Sequence, residues 1–195
     1  MNPRLYVIRH GETAWSLSGQ HTGRTDIPLT TRGEKQAVAL GHEISGIHFA
    51  HVLASPMQRA RRTCELARPD LTVTIEPDLM EWDYGDYEGK LSVDIRAVRP
   101  GWNVFHDGCP GGESPVAITD RADRLIAGLG ALTGDVALFT HGQFACVLAM
   151  RWIGMPIVEA IHFVLGTASL SILGDNPDHA EVRVIALWNL TPGSE

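Results

Sequence analysis

The chain has 195 residues, of which 44% are hydrophobic and 20% charged; this composition is typical of one globular domain and excludes a disordered or fibrous protein. Its formal net charge of −7 argues against nucleic acid or an anionic membrane as a partner, because both select basic surfaces. Cys64, Cys109 and Cys146 form no C-x-x-C pair, so we expect neither a disulfide framework nor a zinc site.

The sequence also predicts where the protein resides. The first strand-like run begins at residue 4, which leaves no room for the charged and apolar regions of a signal peptide. No apolar run approaches the roughly 18 residues that suggest a membrane span. We therefore expect a cytoplasmic protein. Its oligomeric state is open, with a homo-oligomer among the alternatives.

Hydrophobic runs of two kinds alternate along the chain. Strands are predicted at 4–9, 50–54, 71–76, 135–140, 167–173 and 181–188, and helices at 31–45, 56–67, 114–132 and 142–153. This alternation predicts a single α/β domain over 1–195, a three-layer α/β/α sandwich with a mostly parallel sheet and one antiparallel edge. The last two strands are candidates for a hairpin at that edge, and the tail from Thr191 to Glu195 is expected to fray.

Three predicted strands end on polar residues. The segments that follow them are Arg9-His10-Gly11, Ser55-Pro56 with Arg59 shortly after, and His141-Gly142. Ligands of open α/β sheets bind beyond the carboxyl ends of the strands, so we expect these segments to meet at one site. Ser55 is predicted to cap a helix whose first residue is Pro56, which places Arg59 in an anion-favouring first turn. The long loops 15–30 and 100–115 are expected to lie over the site.

Several motifs resemble those of the histidine phosphatase superfamily, which has the phosphoglycerate mutase-like fold, and they occur in that family's order over nearly the whole chain. They are R-H-G-E-T-A-W at 9–15, T-G-R-T-D-I-P-L-T at 22–30, S-P-M-Q-R-A-R-R-T at 55–63, E-W-D-Y-G-D-Y-E-G at 81–89 and T-H-G at 140–142. The segments W-S-x-S-G-Q at 15–20, 81–89 and D-G-C-P-G-G-E-S at 107–114 are most similar to the sedoheptulose-bisphosphatase-type branch. The resemblance implies a metal-independent, cofactor-free phosphatase that hydrolyses small sugar-phosphate monoesters through a phosphohistidine.

The resemblance assigns the nucleophile to His10, whose Nδ1 must keep its proton so that Nε2 can attack phosphorus. Arg9 and Arg59 are expected to bind the phosphoryl oxygens with their guanidinium groups, so that no metal is needed. His141, as an imidazolium or as an N–H donor, is expected to stabilise the charge that develops on the phosphoryl group.

Glu81 occupies the family's position for the general acid that protonates the leaving oxygen, and Asp83 is the alternative. Asp86 and Glu88 are close in sequence, so a cluster of like charges is expected to raise the pKa of Glu81.

Six further residues are expected to contact substrate: Ser16, Thr22, Gly23, Tyr84, Gly142 and Gln143. For several of them a structural role is a serious alternative. Thr22 and Gly23 could form a plain turn, Tyr84 could be a core aromatic residue, and Gln143 could merely cap a helix. Ser16 stands where most mutases of the family have asparagine, so a hydroxyl would replace an amide contact to phosphate.

Two other functions compete with the phosphatase. One is a phosphoglycerate mutase, which uses the same histidine chemistry; against it, Arg96 and Arg99 are separated rather than forming the paired arginines that the family's mutases use. The other is a catalytically inactive protein that binds a phosphorylated ligand. Against that alternative, all five of the family's catalytic positions are filled in this chain.

Overall fold

A six-stranded sheet lies at the centre of the protein in the computed structural model, which describes residues 3–192. The strands are β1 (Leu5–Arg9), β2 (Phe49–Ala54), β3 (Thr74–Ile75), β4 (Asp135–Thr140), β5 (Leu170–Asp175) and β6 (Arg183–Leu190). Their order is β3-β2-β4-β1-β5-β6; β5 runs antiparallel to β1 and β6, and the other adjacent pairs are parallel. The mostly parallel sheet with a hairpin at one edge is therefore confirmed. Residues 193–195 of the predicted tail lie outside the described range.

Helices pack around this sheet. They are α1 (Ala14–Ser18), α2 (Thr31–Ile44), α3 (Gln58–Ala67), α4 (Ser92–Val98), α5 (Val104–Asp107), α6 (Pro115–Leu129) and α7 (Gly142–Trp152), with 3-10 turns at Pro77–Leu79, Gly85–Tyr87 and Ile157–His162. Side-chain caps begin the two longest helices: Thr30 accepts an N–H at α2, and Ser114 accepts one at α6. Within residues 3–192, no helix is long and apolar enough to cross a membrane.

The apolar core consists of two clusters, one on each face of the sheet. Successive side chains of a strand point to opposite faces, so Leu5 and Val7 of β1 join one cluster while Tyr6 and Ile8 join the other. The first cluster includes residues of α6 and α7, and the second includes residues of α2 and α3. Helices therefore cover both faces, as the three-layer α/β/α prediction requires.

Strand register determines which residues meet at the carboxyl edge of the sheet. β1 and β4 pair with Arg9 opposite Thr140, so the next residues, His10 and His141, leave the sheet side by side. The His10 N–H donates to the Thr140 carbonyl oxygen at 3.0 Å. On the other side of β4, the end of β2 brings Ser55 to the same edge.

Gly11 lets the chain leave β1 directly against the start of α2. A Cβ at this position would lie 2.4 Å from the Gly33 carbonyl oxygen, which is closer than real side chains approach. The Gly11 N–H also donates to the Thr63 hydroxyl of α3 at 3.0 Å. The turn that follows His10 is thus held by two helices, and only glycine fits there.

The prediction for the start of α3 was wrong. The helix begins at Gln58 rather than at Pro56, and its N-cap residue, Met57, makes no side-chain cap. Ser55 lies before the N-cap residue; its hydroxyl accepts the Met57 N–H at 3.4 Å and contacts His141 at 2.7 Å, and it binds no N–H of the helix itself. The N–H of Gln58, the first residue of α3, donates to the Asp26 carboxylate at 2.8 Å.

Strand boundaries also differ from prediction. β3 is two residues long instead of the predicted 71–76, and it pairs with the sheet only through the end of β2. β5 begins at residue 170 instead of 167, because Ala168 has a φ of 53° and the chain is still turning there. This turn is fixed by the Ala168 N–H, which donates to the His10 carbonyl oxygen.

Candidate active site

A cavity of about 400 Å³ opens beyond the carboxyl ends of β1 and β4. The strand ends and the start of α7 form its floor, and the segments 16–22 and 163–165 contribute to its walls. The first predicted loop therefore lies at the site. The second does not: no residue of 100–115 lines the cavity, because this loop packs behind the wall, where the Glu113 carbonyl accepts the Trp82 indole N–H.

His10 is buried on the cavity floor with one ring nitrogen engaged. Its Nδ1 lies 2.7 Å from the Gly11 carbonyl oxygen, which can only accept a hydrogen bond, so Nδ1 carries the proton and Nε2 keeps its lone pair. Burial, together with the charges of Arg59 and Arg9, holds the pKa of His10 well below its ordinary value. The imidazole is therefore neutral at pH 7 and remains so into mildly acidic solution, as a nucleophile requires.

Arg9 supplies a buried guanidinium beside His10. One of its terminal nitrogens donates to the Leu165 carbonyl oxygen, whereas its Nε has no hydrogen-bond partner although it is buried. A buried, unpaired donor is costly unless a ligand satisfies it. Gly142 allows this arrangement, because a Cβ there would lie 3.2 Å from the Arg9 Nε.

Arg59 is fully buried behind the cavity wall, and its donors are largely occupied. The terminal nitrogens donate to carbonyl oxygens of the first loop: those of Thr22 (3.2 Å), Gly23 (2.9 Å) and Thr25 (2.9 Å). Its Nε donates to Nδ1 of His141 at 3.2 Å. In this structure Arg59 therefore fixes the 22–25 turn and orients His141, instead of presenting an open fork to the cavity.

His141 is buried, with its ring centroid 5.2 Å from that of His10. Because Nδ1 accepts from Arg59, the proton lies on Nε2, which donates to the Ser55 hydroxyl at 2.7 Å. Burial, followed by the charges of Arg59 and other neighbours, holds the pKa of His141 well below its ordinary value. Of the two predicted forms, the structure favours the neutral N–H donor over the imidazolium.

Glu81 lies at the junction of the cavity and α7. Its Oε1 accepts backbone N–H groups from Trp82 (2.9 Å) and Phe144 (2.8 Å), and its Oε2 accepts that of Gln143 (3.0 Å). A carboxylate has about four acceptor positions, so Oε2 retains one after it binds the Gln143 N–H.

The predicted acidic cluster around Glu81 is not formed. The Asp83 carboxylate pairs with Arg24 at 3.3 Å, outside the cavity lining, and Glu88 accepts the backbone N–H groups of the first loop. Asp86 is exposed. Asp83 and Glu88 are bound to the first loop and Asp86 faces solvent, so the sequence-based argument for the state of Glu81 fails.

Among the predicted substrate contacts, Ser16, Thr22, Tyr84, Gly142 and Gln143 line the cavity. Gly23 does not, and its N–H is bound to both oxygens of Glu88 at 2.9 and 3.0 Å, so it is unavailable to a phosphate. The Ser16 hydroxyl is engaged in a capping box with Thr13 at the start of α1. The Gln143 backbone N–H binds Glu81, which leaves its side chain for the cavity.

Sequence reasoning missed part of the outer wall. His21 lies in the cavity lining, its Nε2 3.0 Å from the Ser92 hydroxyl and its ring centroid 4.5 Å from that of Tyr84. Burial, with a smaller effect of Arg96, lowers the pKa of His21 to about 4. A histidine immediately before the Thr22-Gly23 pair was the available signal.

No group of three or more His, Cys, Asp or Glu side chains within residues 3–192 is placed to hold a metal ion. The three cysteines are buried and unpaired.

Comparisons with known proteins agree with this architecture. A model of the histidine phosphatase superfamily (branch 1) matches residues 5–189. An acid phosphatase of Mycobacterium tuberculosis is 40% identical over 97% of this chain and 94% of its own length, and sedoheptulose 1,7-bisphosphatase of Saccharomyces cerevisiae is 34% identical over 80% and 70%. A solved structure of an open reading frame product from Mycobacterium tuberculosis superposes with a TM-score of 0.92 at 40% identity, covering 98% of this chain and all of that one.

Proposed function

The chain belongs to the histidine phosphatase superfamily (branch 1) and is a phosphatase of that type, and on this premise we propose that it hydrolyses small sugar-phosphate monoesters through a phosphohistidine on His10 without a metal ion. One observation carries the proposal. His10 is neutral, its Nδ1–H is bound to the Gly11 carbonyl oxygen, and its Nε2 keeps a lone pair in a cavity that is also lined by Arg9, whose Nε is unpaired.

The first step forms a bond between His10 Nε2 and phosphorus and breaks the bond between phosphorus and the leaving oxygen. Glu81 gives that oxygen a proton from the open position of Oε2. Arg9 Nε donates to a phosphoryl oxygen. The Nε2–H of His141, held by Ser55 in the structure, turns partly to the phosphoryl group as its charge grows.

The second step reverses the roles. Water attacks phosphorus while the Glu81 carboxylate takes one of its protons, and the bond between phosphorus and His10 breaks. Inorganic phosphate leaves, His10 regains its lone pair, and Glu81 is again protonated.

Supporting observations distinguish this reaction from that of a mutase. The Arg96 Nε donates to the Trp102 carbonyl oxygen at 3.1 Å, and Arg99 pairs with Asp107 at 2.9 Å. Neither arginine lines the cavity, so neither clamps a second acidic group of a phosphoglycerate there. The reduced state of the three buried cysteines fits a cytoplasmic location, which is part of the same proposal.

The test is a panel of sugar phosphates assayed in EDTA, with and without 2,3-bisphosphoglycerate, together with quenched labelling of the protein. We expect phosphate release in EDTA, no requirement for the bisphosphate, and an acid-labile phosphoenzyme. A large loss of activity that a divalent ion restores, or isomerisation of phosphoglycerate in preference to hydrolysis, would contradict the proposal.

A further inference from the structure

The cavity offers cationic groups for one phosphate but not for a second acidic group. Building on the proposed function, we infer that the enzyme selects esters with a single phosphate and an uncharged leaving group, and discriminates against bisphosphates and phosphorylated carboxylic acids. Among the described residues, Arg9 is the only arginine or lysine that lines the cavity, and it lies on the floor beside His10. The outer part of the cavity contains no Arg or Lys from residues 3–192.

The cations nearest in sequence to the wall segments do not line the cavity and have contacts outside it. Their partners are as follows: Arg24 pairs with Asp83 at 3.3 Å, Arg99 with Asp107 at 2.9 Å, the Arg96 Nε with the Trp102 carbonyl at 3.1 Å, and Lys90 lies 5.4 Å from the Tyr87 ring centroid. Recruiting Arg24, Arg99 or Lys90 to a second phosphate would break one of these interactions, and Arg96, which is engaged through Nε alone, does not line the cavity. The one histidine on the outer wall, His21, is neutral at pH 7 because burial lowers its pKa to about 4.

One wall of the outer cavity presents apolar surface. It consists of residues 163–165, whose three carbonyl oxygens accept hydrogen bonds from within the protein. Cys146 donates to Phe163 at 3.7 Å, the Trp188 indole donates to Val164 at 2.8 Å, and Arg9 donates to Leu165. This wall therefore offers its side chains and no free backbone oxygen.

Another part of the outer wall presents neutral polar groups. His21 and Ser92 form a donor and acceptor pair at 3.0 Å, and the Thr22 hydroxyl, which donates to the Gln20 carbonyl oxygen at 3.2 Å, also lines the cavity. Such groups recognise hydroxyls, which can both donate and accept, better than they neutralise a dianion.

The net charge of the protein disfavours binding of a second anionic group. The whole chain has a net charge of −7, and no arginine or lysine of residues 3–192 lines the outer cavity to offset it. A second phosphate would bring about two negative charges into this environment without a partner, whereas a hydroxyl brings none.

The first experiment compares matched substrates that differ only in the second acidic group. The pairs are fructose 6-phosphate with fructose 1,6-bisphosphate, and glycerol 3-phosphate with 3-phosphoglycerate, assayed at low ionic strength in EDTA. We expect kcat/KM to favour the uncharged leaving group at least about tenfold in each pair, and the ratio to fall as salt screens the repulsion. Ratios near one, or a preference for the bisphosphate, would overturn the inference.

The second experiment supplies the missing cation. Ser92→Arg places a guanidinium in the outer cavity, whereas Val93→Arg adds the same charge to an adjacent, 66% exposed position outside it. We expect Ser92→Arg to narrow both ratios at least about threefold and Val93→Arg to leave them unchanged. Equal effects would mean that overall charge, not the cavity wall, sets the preference. Thermal unfolding of both variants verifies folding, and the wild-type ratios decide the inference if Ser92→Arg is unstable.

p-Nitrophenyl phosphate separates this inference from the proposed function. Hydrolysis of this ester together with a preference for bisphosphates would contradict the inference alone. Failure to hydrolyse this ester or any sugar phosphate would contradict the proposed function itself.

Discussion

The floor and the outer wall of the cavity are built by different means. The floor includes His10 from the end of β1, and the fully buried His141 and Ser55 follow the ends of β4 and β2 behind it. Pairing of β1, β4 and β2 fixes the relative positions of the three residues. The outer wall comes from segments 16–22, 81–92 and 163–165, which are held by side-chain contacts such as those of Arg59. In the proposed mechanism, the residues at the strand ends therefore carry out the phosphate chemistry, and the loops select the leaving group.

The largest effect tests the floor. His10→Ala removes the attacking nitrogen, so we expect activity on every ester to fall by on the order of 10⁴-fold or more, with no acid-labile phosphoenzyme. The measurement is turnover of p-nitrophenyl phosphate and of an alkyl phosphate, combined with quenched labelling. Because every ester requires attack by His10, the two esters should lose activity by similar factors.

His21→Ala is a matched control on the outer wall: it removes a half-buried imidazole that lines the same cavity but does not reach phosphorus in the proposed mechanism. It should still form the phosphoenzyme. Labelling of His10→Ala at wild-type levels would contradict the assignment of His10 as the nucleophile. It would also contradict the proposal that the floor carries out the phosphate chemistry.

The next effect falls at the boundary between the two regions. Glu81→Gln removes the proposed proton donor, so we expect a loss of about 10²–10⁴-fold for alkyl phosphates and a much smaller one for p-nitrophenyl phosphate, whose leaving group needs little protonation. The measurement is kcat for both esters. The glutamine amide would also face the Gln143 N–H, so thermal unfolding has to be compared as well.

Asp83→Asn is the control for Glu81→Gln, because Asp83 pairs with Arg24 outside the cavity. It should slow alkyl and aryl esters by the same small factor. If the dependence on the leaving group appeared in Asp83→Asn instead, the acid role would pass to Asp83.

The same division explains which features could be predicted from sequence. The alternation of strands and helices and the polar residues at strand ends predicted the fold and the neighbours His10 and His141, because register in a parallel pair is set by buried side chains. The Nδ1 contact of His10 could be stated as a requirement but not located, since its acceptor is a backbone carbonyl oxygen.

Partners within loops were not predictable. Gly23 matched a phosphate-binding motif, yet its N–H is bound to Glu88, which is 65 residues away in sequence. Ser55 had the sequence pattern of a helix cap, yet its hydroxyl reaches a histidine 86 residues away. In both cases a side chain that is distant in sequence binds the group in question. A local sequence pattern does not show such a partner.

The smallest effect concerns Ser55, which is buried outside the cavity lining and contacts His141 rather than phosphorus in the proposed mechanism. Ser55→Ala leaves the buried Nε2–H of His141 without its acceptor, a cost of about 1–3 kcal/mol. If His141 is positioned through this bond, kcat should fall roughly tenfold, and by the same factor for alkyl and aryl esters, because the proton of the leaving group is not involved. Ser171→Ala is the matched control: it truncates another fully buried serine, one that accepts the Asn189 N–H away from the cavity. Both variants should lose similar thermal stability, but only Ser55→Ala should lose activity. Equal activity in the two variants would show that Ser55 has only a packing role. A loss that varied with the leaving group would show that Ser55 affects protonation of the leaving oxygen rather than the position of His141.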